Sequence, residues 1–272
     1  MASNVDVAVI GGGTAGLQAA LTLGRMRFDV AVVDGGHPSN APAEAIGGLL
    51  GAHESAPLDF LARGRAQLAE LPSVRLIDGE VSQVDAGGAV TLADGSVVSA
   101  RAVVLATGAD YTLPDVPGLA ELWGTSVIHC PFCHGWESRD KRIGLLSAGD
   151  EHAGHLVPIL SQLSADVEVF ESVAELHAED GVLREVVLPD GRRVERDVLF
   201  VAAPPAPRDA SFTELSLERT EPDLVAVDAL GRTSAAGIYA AGDLVAAPPA
   251  VTQALATGQR AAVGVTRDLL GA

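Results

Sequence analysis

Short apolar runs recur along the chain and are separated by turns that contain glycine. Such runs are typical of buried strands in a parallel sheet. They predict strands at 5–10, 29–33, 103–106, 199–202 and 237–241. Apolar residues at helical spacing predict helices at 17–26, at about 151–163 and from 251 to about 270. Strands that alternate with helices indicate an α/β fold.

The chain also repeats itself. The plan of residues 5–34, a strand, a glycine turn, a helix and a second strand ending in an acid, recurs at 141–171. Two copies predict two Rossmann-like, three-layer dinucleotide-binding domains, of which the second is inserted into the first and is degenerate. The first of these domains is predicted to comprise 1–113 plus 233–272, and the inserted domain is predicted to comprise 114–232.

The first glycine turn has the pattern G-x-G-x-x-G between a strand and a helix. Gly11 permits the tight turn, Gly13 lets the backbone approach a pyrophosphate, and Gly16 lets the helix pack closely on the strand. Thr14 and Ala15 lie in this turn and are predicted to contact the cofactor, and the N-terminal amides of the following helix are predicted to bind the phosphates. Asp34, at the end of the second strand, is predicted to bind a ribose hydroxyl. The sequence therefore predicts a dinucleotide site.

The second copy has lost several of these features. Ser147 replaces the first glycine, and His152 replaces the last small residue of the turn. Asp150 and Glu151 put negative charge where a phosphate would lie. The next small-residue turn, 202–204, contains no glycine, and only ten residues separate Glu171 from the next predicted strand. We therefore expect no working NADPH site, although a weak NAD site that uses Glu171 remains an alternative.

The only two cysteines lie three positions apart, in the run Cys130-Pro131-Phe132-Cys133. In a nucleotide-binding fold, this spacing is typical of a dithiol that cycles with a disulfide. A zinc site would need further soft ligands, of which only His129 and His134 lie nearby, and two inert thiols are the other alternative. We favour the redox pair and predict no metal.

Composition excludes other classes of function. The 272 residues carry a net charge of −18, which opposes binding to nucleic acid or to an anionic membrane. No apolar run is long enough to span a membrane, and the N-terminus enters a strand without a signal-peptide pattern. A lone vicinal cysteine pair then fits a catalytic role in a cytoplasmic protein.

Together, these motifs resemble the low-molecular-weight thioredoxin reductase family over nearly the whole chain. The resemblance implies a homodimer that binds FAD through three segments. Besides the first glycine turn, these are the turn Ala106-Thr107-Gly108 and the pair Gly242-Asp243, of which Asp243 would contact the ribityl–phosphate region. The helix that opens at Thr252 and Gln253 would face the flavin pyrimidine ring.

The run 130–137, Cys-Pro-Phe-Cys-His-Gly-Trp-Glu, is similar to a dithiol-oxidase branch whose members close disulfides in small natural products without needing NADPH. The segment 37–42, which includes Asn40, is also similar, but it departs from the more usual Pro-Arg-Asn, which puts one FAD or substrate contact in question. His134 stands where the reductases have aspartate, which implies an acid–base role. His129 is either catalytic or an ordinary strand-end histidine.

The expected reaction combines these residues with the resemblance. A small dithiol attacks Cys130, and a second thiol releases the product disulfide. The resemblance implies that Cys133 is the cysteine nearer the flavin and passes two electrons to FAD. Dioxygen then accepts them as hydrogen peroxide. One alternative is an NAD(P)H- or ferredoxin-driven reductase of a thioredoxin-like protein. Another, from a different class, is a flavin redox sensor without turnover.

Overall fold

The computed structural model describes residues 3–52, 55–147, 154–221 and 223–272. The chain divides into two compact units. Unit 1 contains Met1–Ser39, Leu58–Asp110 and Pro205–Ala272, and unit 2 contains Asn40–Pro57 and Tyr111–Pro204.

The elements of the fold alternate largely as the sequence predicts. The helices are α1 (Thr14–Arg25), α2 (Pro57–Ala69), α3 (Pro131–Ser138), α4 (Leu156–Leu163) and α5 (Val251–Leu270). The first strands are β1 (Ser3–Ile10), β2 (Val30–Asp34), β3 (Val74–Asp78), β4 (Val81–Val84), β5 (Ala89–Leu92), β6 (Val97–Leu105), β7 (Ala109–Tyr111), β8 (Val127–Ile128) and β9 (Ile143–Leu146). The remaining strands are β10 (Val167–Phe170), β11 (Glu175–Glu179), β12 (Val182–Val187), β13 (Arg193–Glu195), β14 (Val198–Val201), β15 (Pro205–Pro207), β16 (Arg219–Thr220), β17 (Leu224–Val225) and β18 (Ile238–Ala240).

The sheet of unit 1 has the order β3-β2-β1-β6-β5-β4, and β18 pairs with β6. Strands β1, β2, β3, β6 and β18 pair in parallel, whereas β4 and β5 join antiparallel. The register aligns Ile10 with both Val33 and Leu105. The turns that follow these three strands therefore leave the sheet at the same carboxyl edge, where ligands bind in α/β folds.

The core of unit 1 is aliphatic on both faces of its sheet. Side chains alternate along β1, so Val7 and Val9 face the core that contains α1 and α5, whereas Ala8 and Ile10 face the opposite core. Helices α1 and α5 approach closely, because a Cβ atom on Gly258 would lie closer than 3.0 Å to the carbonyl oxygen of Ala15.

Two stretches group differently from the predicted domain bounds. Residues 205–232 were expected in the inserted domain, but Phe212, Leu217 and Val225 are buried in the second core of unit 1. Residues 40–57 were expected with the FAD-binding domain, but they group with unit 2. The cause in each case is contact between residues that are distant in the sequence, which local patterns do not encode.

Unit 2 contains a four-stranded parallel sheet, with the order β10-β9-β14-β8, and an antiparallel sheet of β11, β12 and β13. The parallel sheet confirms the second copy of the repeat. In the described part of unit 2, β10 leads directly into β11, whereas in unit 1 a helix and a third parallel strand follow β2. Strand β11 also begins before Val182, where the next strand was predicted. The second copy is thus the smaller one.

The altered turn of the second copy lies outside the described residues, including Asp150, Glu151 and His152. Ser147, just before it, is buried, and its hydroxyl donates a hydrogen bond to the carbonyl oxygen of Phe170 at 3.3 Å. No helix in the described part of the chain is long and apolar enough to cross a membrane.

Candidate active site

The glycine turn after β1 has the geometry of a dinucleotide-binding loop. Gly11 has a φ of +101°, and a Cβ atom there would lie closer than 3.0 Å to the carbonyl oxygen of Ala106. A Cβ atom on Gly16 would also lie closer than 3.0 Å to a backbone atom, the carbonyl oxygen of Gly11, so α1 packs tightly on the turn. At Gly13, by contrast, a Cβ atom would meet no protein atom within 4 Å. That open position gives a pyrophosphate room to approach the backbone.

The first turn of α1 is suited to phosphate. Gly13 precedes Thr14 and Ala15 as the N-cap and makes no side-chain capping hydrogen bond, so the first amides of the helix remain available to a ligand. Asp34 reaches the same turn and accepts a hydrogen bond from the Gly12 amide at 2.9 Å. Its second oxygen pairs with Arg65 of α2, a residue that the sequence analysis missed.

The turn after β6 is held by Arg208, which lies about 100 residues later in the chain. The Thr107 hydroxyl donates to the carbonyl oxygen of Arg208 at 2.6 Å, and the Arg208 amide donates to that of Gly108 at 3.0 Å. The Arg208 guanidinium also donates to Asp110 and to the carbonyl oxygen of His37. Arg208 therefore joins the turn 106–108 to the loop after β2. No local sequence pattern marks it.

The third predicted segment follows β18. Gly242 has a φ of +76°, and its amide donates to the hydroxyl of Thr257 on α5 at 2.9 Å. Burial raises the pKa of the adjacent Asp243 carboxyl to about 6, and the positive charge of Arg208 opposes that rise. No residue in the described ranges donates a hydrogen bond to this carboxylate. It is therefore suited to accept one from a ligand hydroxyl.

Helix α5 begins without a side-chain cap at Ala250, and Thr252 and Gln253 in its first turn are exposed. Its first amides are therefore also available to a ligand, and they would favour negative charge. The glycine loop, Asp34, Asp243 and these two helix termini all belong to unit 1 and fit FAD. Asn40 lies in unit 2, so its contact with FAD stays a prediction.

The cysteines of unit 2 form a disulfide, Cys130–Cys133, with Cα atoms 5.3 Å apart. Cys130 follows β8 and is the N-cap of α3, with Pro131 at the first helical position, where proline is favoured. The amides of Cys133 and His134 both donate to the carbonyl oxygen of Cys130. A thiolate at such a helix N-terminus is stabilised by the helix dipole.

His134 lies next to the disulfide on α3. Both of its ring nitrogens are buried and have no hydrogen-bond partner among the described residues. Burial lowers the pKa of His134, while the charge of Glu137 and the carbonyl group of Cys130 oppose that shift. The imidazole is therefore neutral at pH 7 and can accept a proton.

His129 lies in an aromatic cluster that the sequence analysis missed. Its ring is 4.6 Å from that of Tyr111 and 5.4 Å from that of Trp123, with which it stacks at 22°. Burial, with a smaller contribution from the nearby His134, lowers the pKa of His129 to about 4. His129 thus stays neutral at neutral pH and packs as an aromatic ring.

Two glycines of the loop after β2 lie against the disulfide helix. A Cβ atom on Gly47 would lie closer than 3.0 Å to the carbonyl oxygen of Cys133, and one on Gly48 would lie 3.6 Å from that of Phe132. Ile46, beside them, is buried. We call residues 46–50 the strap, because Gly47 and Gly48 lie against the first turn of α3.

The two units define a class of protein. Unit 1 carries a dinucleotide-binding loop, and unit 2 carries a vicinal disulfide at a helix N-terminus beside a neutral histidine. This combination is that of a disulfide oxidoreductase built on two dinucleotide-binding folds.

Comparison with known proteins supports this class of disulfide oxidoreductase. The chain belongs to the pyridine nucleotide-disulphide oxidoreductase family, whose profile matches residues 5–157 and 144–258. It is 31% identical to thioredoxin reductase tcpT of Claviceps purpurea (strain 20.1), over 98% of this chain and 96% of that protein. Its fold is similar to the crystal structure of HlmI, with a TM-score of 0.93, 34% identity and coverage of 98% and 93%. The crystal structure of the putative thioredoxin reductase TrxB from Bacillus anthracis has a TM-score of 0.92 and 27% sequence identity, over 98% of this chain and 99% of that chain.

These relatives confirm the predicted family, the two-domain fold and the cofactor. The protein is a thioredoxin reductase-like flavoprotein oxidoreductase, and FAD is its cofactor.

Proposed function

We propose that this enzyme is a dithiol oxidase, which converts a small dithiol to its disulfide and delivers the electrons to dioxygen. The observation that carries this proposal is the Cys130–Cys133 disulfide at the N-terminus of α3, beside the neutral, unpartnered imidazole of His134. Such a site can receive a thiol proton and a thiolate at the same point.

The second dinucleotide fold supports this direction of electron flow. Ser147 stands in place of the first glycine, and Ala203 and Pro204 follow β14 where unit 1 has a glycine turn. Glu171, after β10, is exposed, and β10 continues into an antiparallel sheet. Each feature weakens the case for a bound nicotinamide cofactor, so we expect electrons to enter from a dithiol.

Residues of this chain carry out the proton transfer and the thiol–disulfide exchange. His134 accepts the proton of the first substrate thiol, and the resulting thiolate attacks one sulfur of the disulfide. The Cys130–Cys133 bond breaks and a mixed disulfide forms. The second substrate thiolate then attacks the substrate sulfur of the mixed disulfide, so the product leaves as a disulfide and both cysteines hold the electron pair as thiol or thiolate. The loop around Gly13 and the carboxyl of Asp243 would hold FAD, which when bound would supply two-electron transfer from the reduced cysteines to dioxygen; with the two protons released by the substrate thiols, the product would be hydrogen peroxide.

Burial and the sequence-based expectation differ on which sulfur is attacked. We expected the attack at Cys130, but Cys130 is only 9% exposed, whereas Cys133 is partly exposed. We keep Cys130 as the proposed site of attack. It requires the Cys130 sulfur to be uncovered when substrate binds. Cys130 is a free thiol in the Cys133→Ser variant, so it should attack a linear disulfide such as 2-hydroxyethyl disulfide, release one thiol and keep the other half as a mixed disulfide, detected by the mass of the intact protein. Formation of this adduct only in the Cys130→Ser variant would assign the attack to Cys133.

Electron flow is tested by anaerobic titration. Dithiothreitol should bleach the flavin absorbance of the wild type, and NADPH should leave it unchanged. Admission of air should restore the colour and produce one hydrogen peroxide per dithiol. The double variant Cys130→Ser, Cys133→Ser is the control and should keep its FAD but not bleach. Rapid bleaching by NADPH would overturn the oxidase proposal.

A second candidate is a reductase of a thioredoxin-like protein, driven by NAD(P)H or ferredoxin. The names of the relatives tcpT and TrxB favour this candidate, since both are called thioredoxin reductases. The same titration, repeated with reduced ferredoxin and with oxidised thioredoxin as acceptor, separates the two candidates.

We also propose that FAD binds in unit 1, that the chain is a homodimer and that it works in the cytoplasm. The first rests on the loop around Gly13 and the helix N-termini described above, and the others rest on the sequence analysis. Light scattering of the holoenzyme tests the dimer, and cell fractionation tests the location.

A further inference from the structure

The disulfide helix presents two aromatic side chains to solvent. Phe132 is 76% exposed and Trp136 is 66% exposed. They are four residues apart on α3 and therefore lie on the same face of the helix. Pro131, Gly135 and Ser138 face the interior instead. We call Phe132 and Trp136 the aromatic pair. Phe132 lies between the two cysteines in the sequence.

This exposure is unusual within the protein. The chain has six phenylalanines and two tryptophans, and all eight lie in the described ranges. The other six are buried or partly buried. Since exposed aromatic rings lose the benefit of burial, two together beside a reactive disulfide indicate a binding surface.

Arg139 orients one of the two rings. Its guanidinium carbon lies 4.0 Å from the centre of the Trp136 ring, and its Nη1 donates a hydrogen bond to the carbonyl oxygen of Trp136 at 2.6 Å. The cation covers one face of the indole and leaves the other accessible. A ring held in this way loses less conformational entropy when a ligand stacks on it.

The strap contains one fully exposed apolar side chain. Gly48 lies beside the backbone of Phe132, and Leu50 is two residues further along and fully exposed. Among the charged residues that follow Trp136 in the sequence, Glu137 and Asp140 are acidic and exposed, whereas the cation of Arg139 lies on the Trp136 ring. With a chain charge of −18, this setting disfavours an anionic ligand.

The size of the surface points to a small occupant. An aromatic side chain offers about 150–250 Å² when fully exposed, so the pair presents on the order of 300 Å². A stable protein–protein interface buries about 800 Å² on each partner. One or two fused rings match the smaller area.

We propose that Phe132 and Trp136 dock the flat, apolar and uncharged part of a small dithiol substrate, with Arg139 as a positioning residue for Trp136. This inference rests on the proposed dithiol-oxidase function and adds the chemical class of its substrate. Stacking on the open face of Trp136 holds the substrate body beside the helix N-terminus, where its thiols can reach the disulfide.

The test compares three dithiols in anaerobic stopped-flow reduction of the holoenzyme. They are 1,2-benzenedimethanethiol, which is flat and aromatic, dithiothreitol, which is neutral and aliphatic, and meso-dimercaptosuccinate, which is dianionic. In the wild type, the concentration for half-maximal rate should be lowest for the aromatic dithiol and highest for the dianion. Trp136→Ala and Phe132→Ala should each raise it about 10-fold for the aromatic dithiol and less than about 3-fold for dithiothreitol.

A matched control is Met26→Ala, which shortens an apolar side chain that is 54% exposed at the end of α1 in unit 1. It should change none of these values. A second measurement does not require turnover: the S-methylated analogue of the aromatic dithiol should quench the fluorescence of Trp136, and the quenching should weaken in Phe132→Ala. Arg139→Gln should weaken binding of this analogue, while Arg139→Lys should retain part of it.

Equal effects of Trp136→Ala on the aromatic and aliphatic dithiols would overturn the inference. A variant that slows oxidation of reduced thioredoxin but not of the aromatic dithiol would also overturn it, because the occupant would be a protein. If no dithiol bleaches the wild-type flavin, the proposed function fails. The fluorescence titration then still decides whether the aromatic pair binds a flat apolar molecule.

Discussion

Gly47 provides the sharpest test of how the redox helix is held. A Cβ atom at this position would lie closer than 3.0 Å to the carbonyl oxygen of Cys133 and 3.3 Å from its carbonyl carbon. Both obstacles are backbone atoms, so no side-chain rotation relieves the contact. The backbone conformation at Gly47 is open to other residues, since its φ is not positive. The Gly47→Ala variant therefore isolates the steric effect.

The size of the effect follows from the displacement. Restoring a normal contact requires the strap or the first turn of α3 to move by roughly 1 Å. Overpacking of this kind costs about 1–3 kcal/mol in the free energy of unfolding. A misplacement of about 1 Å at a reacting group costs about 100-fold in rate. We therefore expect Gly47→Ala to slow the reaction more clearly than it destabilises the fold.

The neighbouring Gly48 is the matched control. A Cβ atom there would lie 3.6 Å from the carbonyl oxygen of Phe132, an ordinary van der Waals contact. Both variants restrict the unfolded chain equally, by about 0.4–1 kcal/mol, so this term cancels between them. Stopped-flow flavin reduction by dithiothreitol and urea denaturation should be measured for both. Equal rates and equal urea midpoints in the two variants would refute the reasoning.

Three further predictions concern other residues. His134→Gln should slow flavin reduction by a dithiol about 100-fold. Because burial lowers the pKa of His134 from its ordinary value of 6.5, the wild-type rate should fall through protonation of this base only below pH 6.5. A variant that keeps the wild-type pH–rate profile would contradict the role. Burial lowers the pKa of His129 from 6.5 to about 4, so its contribution to stability is complete above pH 6.5 and falls as the pH drops toward 4; between pH 7.5 and pH 5 the wild type should lose about 2 kcal/mol more than His129→Phe, measured by urea titration at both pH values. Gly16→Ala should lower the melting temperature of the apoprotein, because the added Cβ atom would meet the carbonyl oxygen of Gly11. Gly13→Ala should leave the melting temperature unchanged but weaken FAD binding about 10-fold, measured by fluorescence titration.

The local motifs were predictable because their signal lies within a few residues. The glycine loop, the strand that ends at Asp34 and the helix that opens at Val251 all depend on turn chemistry and on apolar runs. The structure has these elements at the predicted places, with α1 (Thr14–Arg25) and α5 (Val251–Leu270) close to the expected bounds.

The missed features depend on residues distant in the sequence. Arg208 reaches the turn at Thr107 from about 100 residues away, and the ring of Tyr111 packs on His129 from outside its local segment. Residues 205–232 group with unit 1 instead of the predicted inserted domain, and their short strands lack the regular pattern of the parallel sheet that would have indicated this. Neither the spacing of Gly47 nor its neighbours reveals that Cys133 lies against it.

The strap has a consequence for how the redox unit is completed. Its residues are synthesised well before α3, and they contact partners about 80 residues later in the chain. A fragment that spans 111–204 contains both cysteines and all of the parallel sheet of unit 2, yet it lacks the backbone that lies against Cys133. The redox centre is therefore encoded in two separate stretches, and its final geometry is reached only when an early loop of the chain returns to a helix made much later.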